Sequence, residues 1–288
     1  MPCNPDPSPA EALLTYETQL HYGAVPDALD GQKVTENGHF LSGNAYLLRA
    51  DGLSFLYRKG EGITVERGAD ADISAESLWL NGSVYAAIAC INGFKPIHAS
   101  AVAYQGEVIA FTGPSGAGKS TLIAALGKLG LPMFCDDTLV LDLSDPARIV
   151  CLPGHKRLKL TPQALTLTGA DAQEKVGVTI NKFYACPPGG KVGRPLPLGR
   201  LVFLENGPTL GSQAITGAER FTRLTDDHYT EALFASARQL DRTAQFALQA
   251  RLAQQIPMTR LTRPRDPAQF AASAQLAAAL VRNEEKPA

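Results

Sequence analysis

Apolar positions recur with two different periods along the chain, and the changes of period mark its organisation. From about residue 34 to 66 the period is that of short strands. Ala45-Tyr46-Leu47-Leu48-Arg49 and Leu53-Ser54-Phe55-Leu56-Tyr57 flank Asp51-Gly52, a pair that tolerates positive φ and so predicts a tight hairpin. Gly60-Glu61-Gly62 turns the chain again into Ile63-Thr64-Val65, which completes a small antiparallel meander. Between 75 and 92 the period becomes helical. Leu78, Leu80, Val84, Ile88 and Ile91 recur among alanines, and Asn92-Gly93 supplies the stop. Residues 1–20 read as a Pro-rich and then short-helical start.

After about residue 95 strands and helices alternate. Ala99 to Tyr104 reads as a strand, Gln105-Gly106 as a turn, and Val108-Ile109-Ala110-Phe111-Thr112 as a second strand. A glycine-rich loop follows, then a helix from Lys119 to about Leu129 with Leu122, Ile123, Leu126 and Leu129 on one face and Gly130 as its stop. Met133-Phe134-Cys135 and Leu139-Val140-Leu141 flank an Asp136-Asp137 pair, and Ile149 to Leu152 is another strand. Residues 185–200, with Pro187, Pro188, Gly189, Gly190, Gly193, Pro195 and Pro197, read as a long loop before the strand Leu201 to Leu204. Helices are predicted around 228–240, 241–254 and 267–282, with a last strand at Pro257 to Leu261.

Composition narrows the class. With 45% hydrophobic and 19% charged residues in 288, the chain can bury a sizeable core. A net charge of −1 argues against a general nucleic-acid binder. No run approaches the 18 or so apolar residues of a membrane span. The first thirty residues hold Asp6, Glu11, Glu17, Asp27 and Asp30 and lack a basic start with an apolar run, so no secretory signal is expected. Cys3, Cys90, Cys135, Cys151 and Cys186 have no C-x-x-C spacing and read as reduced thiols of a cytoplasmic protein.

The glycine loop carries the chemistry. Gly113-Pro114-Ser115-Gly116-Ala117-Gly118-Lys119-Ser120 matches G-x-x-x-x-G-K-[ST] completely, between an apolar strand and an amphipathic helix. Its glycines let backbone N–H groups converge on phosphate oxygens, and the helix adds its positive N-terminal end. Lys119 is expected to reach the β- and γ-phosphates and Ser120 to hold magnesium. Residues Gly113 to Thr121 are thus the candidate nucleotide site, and transfer of the terminal phosphate to a hydroxyl is the expected chemistry. Phosphoryl transfer also needs a second metal ligand and a group that orients or deprotonates the acceptor. Asp136 and Asp137 lie just before an apolar strand, where neighbours on an extended segment point to opposite sides and suit two jobs. One would hold magnesium, Asp136 beside Ser120 being taken as metal ligand, and the other would act as base. The pattern does not decide which does which.

Pro96-Ile97-His98-Ala99-Ser100-Ala101-Val102, the loop GPSGAGKST, and Cys135-Asp136-Asp137 together resemble the catalytic domain of HPr kinase/phosphorylase. The resemblance covers roughly 95–205. It implies a P-loop kinase core that phosphorylates a serine with MgATP. Lys119 and Ser120 would hold phosphate and metal, Asp136 and Asp137 would supply metal ligand and base, and His98 would stand nearby as a fourth catalytic residue with Asp136, Asp137 and Lys119. The N-terminal region is shorter than that family's, and its Arg-Gly-rich signature of phosphorolysis is missing. The chain therefore looks closer to short HPr-kinase-like proteins, some of which phosphorylate a serine at the C-terminal end of lasso precursor peptides. Lys156, Arg157 and Lys159 read as a basic turn that meets phosphate or an acidic acceptor, or is simply solvated.

These readings define an α/β protein with a P-loop kinase core of HPr kinase type. Residues 1–94 form a small β-rich accessory region, and 95–288 the catalytic domain with a helical C-terminal part. The expected cofactors are ATP and Mg2+. The expected partner is a peptide or small-protein phospho-acceptor, without nucleic acid or membrane, and the resemblance suggests a homo-oligomer. A P-loop ATPase acting as a nucleotide-dependent switch, and a small-metabolite kinase, are the alternatives.

Overall fold

A computed structural model describes residues 8–224 and 229–284, so Cys3 and the predicted helix start at 228 lie outside the described residues. Asp51 (φ 55°) and Gly52 (φ 73°) both adopt the left-handed conformation and close the expected hairpin between Ala45–Ala50 and Leu53–Arg58. The strands Gly38–Ser42 and Gly62–Arg67 flank that pair, and Leu20–Tyr22 adds a parallel edge. One face of the sheet packs Tyr46, Phe55, Tyr57 and Val65 on Ile88 and Ile91 of the following helix. That helix is less regular than its spacing predicts: Glu76–Trp79 and Tyr85–Ile91 are α-helical, and Leu80–Val84 between them is a π-turn. Asn81 donates through Nδ2 to the Ser77 carbonyl (2.8 Å), one of the local side-chain bonds that compete with the helical ladder there.

The second sheet has eight strands. The strand that leads into the glycine loop, Glu107–Thr112, pairs antiparallel with Lys95–Tyr104 and parallel with Leu196–Asn206. Met258–Arg263, the predicted last strand, is parallel to Leu196–Asn206 on its other side. Three parallel strands therefore end together, and the glycine loop leaves at their carboxyl ends, where open α/β sheets bind ligands. The loop helix, Lys119–Lys128, buries Leu122, Ile123 and Leu126 against Leu160, Ala164, Ala277 and Val281. Phe270–Arg282 supplies the last two of these.

The long loop expected at 185–200 is shorter. The strand already begins at Leu196, because Leu196 and Pro197 pair with Cys151 and Val150 despite the flanking prolines. What remains of the loop is fastened: Met133 N donates to Gly190 O (3.0 Å) and Val192 N to Met133 O (2.9 Å). Its Pro188-Gly189 part packs against Gly127 in the C-terminal part of the loop helix. A Cβ on Gly127 would fall 2.1 Å from Pro188 O. Gly127→Ala should accordingly cost about 1–3 kcal/mol, read as a lower thermal midpoint; an unchanged midpoint would show that the 187–190 segment yields freely.

Candidate functional site

Two glycines of the loop have close neighbours where a side chain would stand. Gly113 (φ 149°) has no room for a side chain, because its Cβ would lie 2.9 Å from Leu204 O of the neighbouring strand. Gly118 (φ 82°) caps the helix, and a Cβ there would meet Arg263 Nη2 at 2.9 Å. Arg263 is buried beneath the loop and donates to Ala117 O. Lys119 is also buried, with its ammonium on Gly113 O (2.8 Å) and Pro114 O (3.2 Å) inside the cradle.

The two aspartates occupy different environments. Asp136 is 1% exposed, and its Oδ1 accepts from Ser120 Oγ (2.8 Å) and Ser100 Oγ (2.6 Å) while Oδ2 faces the Lys159 N–H (3.2 Å). Burial and the neighbouring Asp137 charge push its carboxyl above the ordinary carboxylate range. Asp137 keeps 35% of its side chain exposed and pairs with Lys159 Nζ at 2.6 Å and with His98 Nδ1 at 3.5 Å. Burial alone would raise its pKa, but Lys159 and then His98 outweigh that and hold it at about 2. The two side chains are set apart by a bend and not by the alternation the sequence reading assumed. Asp137 takes a left-handed φ of 71° in a bend, rather than alternating on a pleated strand.

His98 sits opposite Thr138 on the adjacent strand, and its Nδ1 lies 3.0 Å from the Asp137 carbonyl oxygen. Its own carbonyl accepts from Thr112 Oγ1 (3.0 Å). Sequence and structure thus bring together Lys119, Ser120, Asp136, Asp137 and His98. The sequence reading did not single out Ser100, Arg263 or the role of Lys159. Ser100 lies within the quoted run around His98, which was the available signal. The basic segment is not a solvated turn throughout: Lys159 lies on the strand Leu158–Leu160 with a side chain only 10% exposed. Lys156 donates to Phe134 O, and burial lowers it to about 8.

Among the described residues no cluster of three or more His, Cys, Asp or Glu stands ready as a metal cage. The Ser120 hydroxyl and Asp136 carboxylate, already in contact, form the sparse donor set that suits magnesium, whose remaining ligands come from phosphate and water. The described cysteines are free; Cys90 and Cys135 are buried and pushed up to about 12 by that burial, so they are poor nucleophiles.

His155 follows the Asp strands, and burial, with Arg157, Lys159 and Lys156 nearby, lowers its pKa to about 4. Above pH 6.5 it is neutral folded or unfolded and contributes nothing to the pH dependence. Below that the unfolded chain takes up a proton that the folded chain refuses until about pH 4, so stability falls as pH drops through this window. His155→Gln should flatten the thermal midpoint between pH 6.5 and 4. An acid limb of unchanged steepness would assign it to other groups.

Fold and site together define a P-loop nucleotide-binding α/β protein with C-terminal helices. Residues 98–248, just over half of the chain, match the family model described as ABC transporter, and the chain belongs to that family of P-loop proteins. Among curated proteins no relative matches. Among solved structures the HPr(Ser) kinase/phosphatase from Coxiella burnetii aligns with 66% of this chain and 99% of its own, at 12% identity and a TM-score of 0.32. A likeness that distant carries no weight for function. No helix among the described residues is long and apolar enough to cross a membrane.

Proposed function

We propose that the chain is an ATP- and magnesium-dependent serine kinase whose acceptor is a hydroxyl on a peptide or small protein. The observation that carries this reading is the asymmetry of the aspartate pair. Asp136 is sealed against the Ser120 hydroxyl. Asp137 is ionised, partly open to solvent, and held by Lys159 and His98. The sequence resemblance around His98, the loop and the pair points the same way.

The residues divide the work accordingly. Loop amides and the Lys119 ammonium would receive the phosphates, the ammonium turning from the loop carbonyls that now hold it. Ser120 and Asp136 would hold magnesium, which neutralises charge on the β- and γ-oxygens. Asp137 takes the proton of the serine hydroxyl as its oxygen bonds to the γ-phosphorus. The bond to the bridging oxygen breaks, and that electron pair leaves with ADP. His98, on the Asp137 carbonyl and near its carboxylate, positions the base.

The ABC transporter match favours a second reading, an ATPase whose output is a conformational change in a partner. ADP release with MgATP alone and with serine-containing peptides separates the two. A kinase should be slow alone and accelerated by acceptor, with phosphate on the peptide. Fast ADP release that no acceptor changes would overturn the kinase reading.

A further inference from the structure

A cavity of about 580 Å³ lies between the N-terminal sheet and helices and the segment Leu152 to His155, and it shares no residue with the glycine loop. That segment leads from the strand Val150–Leu152 back toward the aspartate pair. Gly154 stands against the bend there: a Cβ on it would fall 3.0 Å from Thr138 O and 3.1 Å from Cys135 Cβ. His155 follows, close enough for the Asp137 charge to act on it. The His155 end of the cavity therefore lies beside the bend that carries the base.

The opposite wall is irregular helix. Leu80 and Asn81 belong to the π-turn, and Tyr85 follows it directly. Such turns interrupt the helical ladder and recur at functional sites. Polar groups on both walls lack partners. His155 Nε2 is buried with none, and no hydrogen bond reaches the Tyr85 hydroxyl among the described contacts. Asn81 gives its amide hydrogens to Ser77 O (2.8 Å) and Ser77 Oγ (3.0 Å), which leaves its Oδ1 to accept. Enclosed polar groups are normally satisfied, so these point to an occupant.

Charge restricts what that occupant is. Glu11 and Glu76 line the cavity and no lysine or arginine does, which disfavours a phosphorylated metabolite or a second nucleotide. The two carboxylates are themselves engaged, Glu76 with Arg67 (2.7 Å) and Tyr22 (2.8 Å), and Glu11 with Ser8 N (2.9 Å). What remains is a set of neutral donors and acceptors among apolar side chains such as Leu80, Leu152 and Pro153. Leu20 joins them and is 43% exposed, so the apolar wall continues to the molecular surface. The alternating amides and side chains of a polypeptide match such a lining.

We infer that this cavity docks a segment of the acceptor polypeptide some residues away from the phosphorylated serine, which deepens the proposed function and rests on it. The N-terminal region thereby selects the acceptor, while the loop and the aspartate pair carry out the transfer.

The test uses the full chain, γ-labelled MgATP and the desalted protein fraction of the source-cell extract, with initial labelling rates followed over a dilution series. Thr15→Trp fills the cavity from an exposed position on the helix Pro9–Glu17, and Tyr85→Phe removes a hydroxyl while keeping the ring. At limiting fraction the rate should fall by more than about tenfold in Thr15→Trp, where a clash excludes the acceptor. In Tyr85→Phe it should fall about three- to tenfold, the range of one hydrogen bond. Both should approach the wild-type rate as the fraction is concentrated, and both should bind MgATP within about twofold of wild type, since neither residue lines the glycine loop. Tyr85→Phe keeps the test valid if Thr15→Trp does not fold. Wild-type curves in both variants, or rates lowered equally at every dilution, would overturn the inference. Labelling lost on desalting, and restored by the small-molecule filtrate in wild type but in neither variant, would assign the cavity to an effector and overturn it too. No labelled acceptor with wild type, in desalted or whole extract, would remove the kinase reading and the inference with it.

Discussion

Asp137→Asn should slow phosphoryl transfer by about 10²–10⁴-fold, the usual contribution of a general base. The affinity for MgATP should stay within a few-fold. The substitution keeps size and shape but removes the charge that Lys159 and His98 approach at this bend. It leaves the glycine loop untouched, because Asp137 makes no bond to it among the described contacts; the link from pair to loop runs through Asp136 and Ser120. Single-turnover transfer and nucleotide titration, measured side by side, separate the two effects. Because Asp137 is ionised from about pH 2 upward, titration of this residue should not shape the rate near neutrality. A full rate in Asp137→Asn would make the residue a structural ion-pair partner and return the base to another group.

Lys119→Met should lower transfer by about 10²–10³-fold, the scale of losing one charge-stabilising donor at a reacting oxygen. Unlike Asp137→Asn it should also weaken triphosphate binding, since the ammonium meets ground state and transition state alike. Methionine retains most of the buried stem of a side chain that is 7% exposed, so the fold should survive. Circular dichroism and a thermal melt confirm that, and titration with MgATP reads the binding loss. If transfer survived in the Met variant, phosphate would not sit where the loop places it.

The legible parts of the chain were those whose local chemistry leaves few alternatives. Asp51-Gly52 has φ values that few other residue pairs accept, and the hairpin register follows from it. The glycine loop is equally constrained by Leu204 O and Arg263, yet neither neighbour is near it in sequence, so the motif was readable and its supports were not. The same holds for Asp136. Its seal depends on Ser100, brought across by the Lys95–Tyr104 strand, and on the Lys159 N–H, brought back by Leu158–Leu160. The π-turn at Leu80–Val84 and the early start of the strand at Leu196 were hidden for opposite reasons. In the first the apolar period continues unbroken while the ladder changes. In the second prolines and a glycine mask a strand that long-range pairing enforces. The boundary at residue 94 and the oligomeric state are choices of packing between surfaces, which neither period nor motif encodes.

The most direct test of the kinase proposal is transfer from γ-labelled MgATP into an extract of the source cells, with wild type and Asp137→Asn in parallel. Label on one peptide or protein, present only with wild type and located by mass spectrometry on a serine, is the expected result. Labelled inorganic phosphate released at the same rate with and without extract, and no labelled acceptor, would contradict it and leave an ATPase in its place.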